Sequence, residues 1–326
     1  DIVSATVSGL AAATGALTIS AVETVNLTTS GDNTLNLAGV TGATTIQVTD
    51  NVQTISGLDL GATIHLNGAF TASEIDVTAA DATGSSDTLK VSTTGATVSI
   101  IDASAIETLA ITKNDAANTV TLDLTTFEGS AVTLDSKTAI VGTGAVAFGT
   151  LHANANSLTS TYAGGLTAVL SGATEAVTAT VNGTVAQDIT GSAFADTFNV
   201  GSTVGVTHVM VGGDGEDTIN LTHAADSSAE FGSISAIQTF NLAIANAADV
   251  VVNGAFHANV DDITVTGGNT TSTLTTGTLG AGVETLDASG FSGNILATVA
   301  NDELDSTVTF TGGGTATDKV LNTIAT

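Results

Sequence analysis

The chain has 326 residues, with 32 acidic side chains against four basic ones, a formal net charge of -28, no cysteine and no proline. The bases are Lys90, Lys113, Lys137 and Lys319, with no arginine, so no surface can neutralise a run of phosphates, which excludes nucleic acid and anionic lipid as partners. The missing cysteines exclude disulfides, thiolate metal sites and thiol nucleophiles, and no run of about 18 apolar residues is present to insert in a membrane.

Apolar residues still make up 42% of the chain, enough to bury a core despite the charge. The opening Asp1-Ile2-Val3 has neither an initiator methionine nor the basic start of a signal peptide. It reads as a piece of a longer polypeptide whose other parts carry any export signal or anchor.

Short alternating runs follow one another along the chain: Val22-Glu23-Thr24-Val25-Asn26-Leu27, Thr34-Leu35-Asn36-Leu37, Thr45-Ile46-Gln47-Val48, Thr88-Leu89-Lys90-Val91, Thr119-Val120-Thr121-Leu122, Asp262-Ile263-Thr264-Val265 and Val308-Thr309-Phe310. Their period of two, their β-branched residues and the Gly, Asn and Asp between them predict an all-β fold. Helical candidates, such as Ala236 to Ala248, are weak and short. Average proline usage near 5% would place roughly sixteen prolines in this length. Stacked parallel strands need every backbone N–H, which proline lacks. The expected architecture is therefore a parallel β-solenoid, a β-helix-like stack of coils of about 22 residues, and tandem β-sandwich modules are the alternative. The expected divisions are a solenoid-like domain over 1–185, a metal-binding segment over 186–225 and a second β-rich domain over 226–326.

A phrase also recurs. Ser20-Ala21-Val22-Glu23-Thr24-Val25 returns as Ser104-Ala105-Ile106-Glu107-Thr108-Leu109, as Ser235-Ala236-Ile237-Gln238-Thr239-Phe240 and, shortened, as Gly282-Val283-Glu284-Thr285-Leu286. A repeated unit of this kind stacks because one copy cannot bury its apolar face alone. Its Glu and Thr are expected to face solvent, and no partner acid accompanies each copy to make a catalytic pair.

The sharpest chemical signal is Gly212-Gly213-Asp214-Gly215-Glu216-Asp217-Thr218-Ile219-Asn220. It fits the calcium-binding nonapeptide GGxGxDxUx throughout, U being a large aliphatic residue. Its glycines let the backbone turn tightly and aim carbonyl oxygens inward, Asp217 adds a hard carboxylate, and Ile219 anchors the next strand. Upstream, Gly191-Ser192-Ala193-Phe194-Ala195-Asp196-Thr197-Phe198-Asn199 keeps the first glycine, the aspartate and the large apolar residue. Fainter echoes place Asp87 in Ala82–Lys90 and Asp318 in Gly313–Leu321, while Gly267–Leu274 carries Ser272 at the aspartate position. The candidate Ca2+ ligands are thus Gly191, Asp196, Gly212, Gly213, Asp214, Gly215 and Asp217, with Asp87 and Asp318 in the degenerate copies. Acidic clusters such as Asp302-Glu303-Leu304-Asp305 read as solvated faces.

These residues resemble the RTX family of calcium-binding repeat proteins. The Ala/Thr/Gly/Val-rich, basic-poor texture, Val22-Glu23-Thr24-Val25-Asn26-Leu27 and the turn Leu286-Asp287-Ala288-Ser289-Gly290 are similar to the crystalline surface-layer branch of that family. The resemblance implies RTX-type calcium turns, type I secretion, an extracellular place on a bacterial surface, and self-assembly into a lattice, with any cell-surface glycan contact made by other regions. One intact nonapeptide in place of a tandem block departs from the family's long β-roll. An adhesin or biofilm-matrix stalk is the alternative reading.

An enzyme is not expected. Uronate-cleaving solenoids need cations to neutralise a carboxylate, and sugar platforms need aromatics, yet Tyr162 is the single tyrosine and tryptophan is absent. His65, His152, His208, His223 and His257 form no HExxH or short-spaced pair. His208 and His223, which flank the nonapeptide, read as surface residues of strands.

Overall fold

The computed structural model describes residues 1–8, 17–30, 34–49, 54–67, 70–79, 81, 83–84, 86–94, 97–103, 105–113, 120–124, 127, 129–136, 146–151, 153–161, 165–181, 186–201, 208–223, 233–244, 250–252, 260–279, 283–300, 309–312 and 319–323. Among them there is no helix. The chain divides into two compact units, Asp1–Thr174 and Glu175–Thr326.

The strands of the first unit are β1 (Ile2–Ser8), β2 (Thr18–Ser20), β3 (Thr24–Ser30), β4 (Thr34–Asn36), β5 (Gly39–Thr41), β6 (Thr45–Thr49), β7 (Thr54–Leu58), β8 (Thr63–Asn67), β9 (Phe70–Ala79), β10 (Thr88–Thr94), β11 (Thr97–Ala103), β12 (Thr108–Lys113), β13 (Val120–Asp123), β14 (Ala131–Ser136), β15 (Val146–Thr150), β16 (Ser157–Ser160) and β17 (Leu166–Val169). One sheet runs β1-β3-β6-β8-β10-β12-β14-β16, a second runs β4-β7-β9-β11-β13-β15-β17, and β2 pairs with β5. The second unit holds β18 (Thr178–Val181), β19 (Gln187–Thr190), β20 (Thr197–Gly201), β21 (Val209–Val211), β22 (Thr218–His223), β23 (Ser233–Ser235), β24 (Thr239–Ile244), β25 (Val250–Val252), β26 (Asp262–Gly267), β27 (Thr273–Leu279), β28 (Thr285–Phe291), β29 (Asn294–Ala300), β30 (Thr309–Thr311) and β31 (Lys319–Thr323). Its sheets run β18-β20-β22-β24-β26-β28-β30, β19-β21-β23 and β25-β27-β29-β31.

Sequence neighbours thus alternate between sheets, and each strand pairs in parallel with its equivalent one coil away, as in β20 on β22 and β22 on β24. That is a β-solenoid. The β-sandwich alternative falls, because sandwiches are built from antiparallel sheets. The helical candidate falls too: Thr239–Ile244 is β24, and its alternation puts Phe240, Leu242 and Ile244 in the core. An apolar run shorter than a helix with period two buries one face only as a strand.

Stacking fixes what the core is made of. The register sets Val25 against Ile46 and Ile46 against Ile64, with Leu27 against Val48 and Val48 against Leu66. All are at most 1% exposed, and each such side chain contributes about 1.5–3 kcal/mol by leaving water. The outward positions between them carry Thr24, Asn26, Thr45 and Gln47. In the second unit the same two outward columns read Thr197 and Asn199, Thr218 and Asn220, Thr239 and Asn241. Lys113 is an exception to the outward placement of charge. It stands at an inward position of β12 and is 1% exposed.

Candidate metal centre

The chemistry concentrates at the corner that precedes each strand of the sheets containing β3 and β20. There the backbone carbonyl of one coil accepts N–H groups of the next: Asp87 from Glu107 and Thr108, Asp217 from Gln238 and Thr239, Asp261 from Glu284 and Thr285. Side chains return the bond. Glu107 Oε2 accepts the Asp87 N–H at 2.7 Å, Asp196 Oδ1 the Val177 N–H at 2.6 Å, Asp217 Oδ1 the Asp196 N–H at 2.7 Å, and Gln238 Oε1 the Asp217 N–H at 2.7 Å. The corners at Val177, Asp196, Asp217 and Asp87 are therefore clamped in both directions, as a capping box clamps a helix start, while the Asp261 corner holds by its backbone bonds.

This accounts for the recurring phrase and corrects its solvent-facing reading. Glu23 and Glu284 are exposed, Glu23 Oε2 meeting the Asp1 amino group of the preceding coil at 3.3 Å in the open, but Glu107 and Gln238 are half-buried and tie two coils together through a backbone N–H. The alanine two residues earlier adopts the left-handed conformation in every described copy, with φ of 60° at Ala21, 58° at Ala105 and 55° at Ala236. A non-glycine residue costs about 1–2 kcal/mol there. Alanine keeps the cost down, having the smallest side chain with a Cβ.

At the nonapeptide a shorter aspartate replaces Glu or Gln, and the backbone has to come closer. Gly213 and Gly215 have φ of 117° and 114°, values that L side chains rarely adopt. A Cβ on Gly213 would run into the Ser192 carbonyl oxygen, and one on Gly215 would lie 2.7 Å from the Phe194 carbonyl carbon. The turn thus rests directly on the degenerate turn Gly191–Asn199. The 21 positions between Asp196 and Asp217 are one coil, since Thr197 pairs with Thr218.

Both aspartates are buried, at 1% and 0% exposure. Asp196 is fully used: Oδ1 accepts the Val177 N–H and the Ser192 hydroxyl at 2.7 Å, and Oδ2 accepts the Ser192 N–H. Asp217 is not, because its Oδ2 is buried and has no hydrogen-bond partner. Burial, with the charges of Asp196, Glu216 and Asp214 adding to it, pushes the Asp217 carboxyl up to about 6 against the Asp196 N–H bond that lowers it. Asp217 Oδ2 and the Ala236 carbonyl oxygen converge where a Cβ on Gly212 would stand, and Asp196 Oδ2 and the Gly212 carbonyl oxygen do the same at Gly191. An orphaned carboxylate oxygen beside a carbonyl oxygen, both packed against a glycine too closely to admit a Cβ, is the donor chemistry that suits a hard oxygen-seeking cation such as Ca2+. Asp214 and Glu216 lie exposed on the same turn and supply charge around it. Among the described residues no three His, Cys, Asp or Glu side chains gather to hold a metal, so backbone carbonyls would form most of such a shell.

The degenerate copies diverge. Asp87 lines a groove of about 580 Å³ in the first unit together with Asp59, Asp81, Val40 and Leu60. Its three carboxylates bind their own turns: Asp59 Oδ1 accepts the Gly61 N–H at 2.8 Å, Asp81 Oδ1 the Thr83 hydroxyl at 2.8 Å, and Asp87 Oδ2 the Gly84 N–H at 3.1 Å. The nonapeptide pattern singles out Asp87 alone, because Asp81 falls outside its aspartate position and Asp59 joins the groove only through the coiling. Ser272, at an aspartate position, is buried and its hydroxyl accepts the Asn269 N–H at 3.0 Å. Asp318, like Asp302-Glu303-Leu304-Asp305, His152 and His257, lies outside the described residues.

The surface reading of His208 is corrected. It is 6% exposed, its Nδ1 accepts the Gln187 N–H at 3.3 Å, and burial lowers its pKa. A neutral imidazole suits that acceptor role. Comparison with protein families, with curated proteins and with solved structures gives no match for this chain.

Proposed function

We propose that the chain is a structural module of an extracellular bacterial surface layer, held in shape by Ca2+ between coils and assembled with further copies of itself into a lattice. The observation that carries the reading is Asp217 Oδ2, a buried carboxylate oxygen without a partner that lies beside the Ala236 carbonyl oxygen against Gly212. A chain of net charge -28 repels itself until divalent ions offset the carboxylates. Calcium binding to the folded form alone then favours that form by mass action, and affinities of roughly 0.1–1 mM are usual for extracellular modules. In low calcium the same carboxylates keep the chain loose, which suits export before folding.

Electron microscopy of the calcium-loaded parent polypeptide, with an EGTA-treated sample beside it, tests the reading. A two-dimensional lattice that dissolves in EGTA is expected. Isolated extended fibres would favour a stalk or matrix role instead, and assembly and thermal unfolding that ignore EGTA would refute the calcium mechanism.

A further inference from the structure

Outside the metal centre, His208 is a buried titratable group with no part in holding the ion. It stands one coil from Gln187, and the two are 6% and 1% exposed. Its Nδ1 accepts the Gln187 backbone N–H at 3.3 Å. That bond precedes the pairing of β19 with β21, which runs through Asp188 on Val209, Ile189 on Met210 and Thr190 on Val211. The pairing ends where the Gly191 N–H donates to the Val211 carbonyl at 2.8 Å. The residues that follow the two strands, Gly191 and Gly212, are the first of the two turns of the metal centre. The other ionisable residues on the described strands β17 to β24 are Asp188, exposed on β19, and His223, which ends β22. Glu175, Asp196, Asp214, Glu216 and Asp217 belong to the corners that follow β17, β19 and β21, whereas His208 precedes β21.

We propose that His208 is a proton-sensitive clip that holds β19 and β21, and through them the two turns of the metal centre, in register; its link to calcium rests on the function proposed above. A neutral imidazole offers Nδ1 as an acceptor, and a protonated one offers none. A proton on Nδ1 would face the Gln187 N–H, donor against donor, and leave that buried N–H without its acceptor. The ring therefore gains its proton only when the pair opens. Burial acts in the same direction, holding the ring's pKa below its ordinary 6.5. The open form binds the proton more tightly, so the clip has its full strength above pH 6.5 and weakens as pH falls below that value. With the ring neutral when closed and ordinary when open, closure is weakened by up to about thirtyfold at pH 5.0 relative to pH 7.5.

Amide exchange of Gln187 in the intact chain, corrected for the intrinsic pH dependence of exchange, tests the clip. In EGTA its protection is expected to fall at least tenfold between pH 7.5 and pH 5.0. His208→Asn places Oδ1 where the ring carries Nδ1 and keeps an acceptor at every pH, so its Gln187 protection is expected to stay within about twofold. Asp217 is present in both chains, and its own titration cancels in the comparison. Equal losses in the two chains overturn the proposal. So does a His208 ring that titrates at 6.5 or above by NMR in the folded unsubstituted chain, a measurement that needs no variant. At pH 7.5, 10 mM calcium is expected to raise the Gln187 protection by about 10- to 100-fold, the factor that a dissociation constant of roughly 0.1–1 mM sets. Calcium that binds by calorimetry without changing this protection separates the clip from the metal centre and overturns the proposal. No calcium binding, with the pH loss and its rescue in His208→Asn intact, leaves the clip standing and refutes the calcium reading above.

Discussion

Asp217→Asn separates a buried charge from the hydrogen bond that the same side chain makes. Asparagine keeps Oδ1 for the Asp196 N–H and removes the charge of the partnerless oxygen. The native carboxyl is pushed up to about 6 from an ordinary value of 3.8, a difference that corresponds to about 3 kcal/mol at 1.36 kcal/mol per pKa unit. The folded form binds the proton more tightly, so stability falls as pH rises through the window between about 4 and 6 and is level above it. In EGTA at pH 7.5, Asp217→Asn is therefore more stable than the parent by up to about 3 kcal/mol, and the advantage disappears below pH 4, where the aspartate is neutral in both states. Calcium narrows the gap: at 10 mM and a dissociation constant of roughly 0.1–1 mM, a site contributes about 1.4–2.7 kcal/mol, which the asparagine variant forfeits. Amide hydrogen exchange in β20 and β22 reads the opening free energy at this place in the fold. Lower protection in Asp217→Asn than in the parent, in EGTA at pH 7.5, would refute the reasoning, as would a carboxyl that titrates near 4 by NMR.

Other consequences follow from the same geometry. Asp217→Ala lowers the calcium stoichiometry measured by titration calorimetry by one ion, and an unchanged count removes Asp217 from the site. Gln238→Ala leaves the Asp217 N–H without its acceptor and lowers stability by about 1–3 kcal/mol in urea denaturation, whereas Gln238→Glu retains the acceptor and loses stability at neutral pH through repulsion from Asp217. Gly213→Ala, strained at φ 117° and pressed on Ser192, costs at least about 1–3 kcal/mol, visible as a lower melting temperature; a parental value would show that the turn relaxes. Phe198→Ala empties a core position that is 1% exposed and costs about 3–5 kcal/mol, with no effect on calcium count.

Much of the fold was legible in the chain itself, because a strand's facing depends on a period of two that local sequence records directly. Thr45-Ile46-Gln47-Val48 reads as outward, inward, outward, inward, and is so. The absent prolines point to parallel ladders for a similar local reason, since each residue's own N–H is the group in demand. The glycines of Gly212–Asn220 also declared themselves, their positive φ at 213 and 215 being a property of single residues.

What the sequence left open depends on which coils become neighbours. Glu107 and Gln238 reach back one coil, to Asp87 and Asp217, and no local pattern distinguishes them from the exposed Glu23 and Glu284. The approach of Asp59 to Asp81 and Asp87, the burial of His208 and Lys113, and the asparagine ladder on β20, β22 and β24 arise likewise from residues about one coil or more apart. The opening imbalance of 32 acids against four bases divides along the same line. Sequence alone determined that the chain repels itself and polyanions, since charge is a sum over residues. Only the tertiary structure decided that Asp196 has its oxygens satisfied while Asp217 keeps one without a partner, because hydrogen-bond satisfaction belongs to the stacked coils and not to the residue.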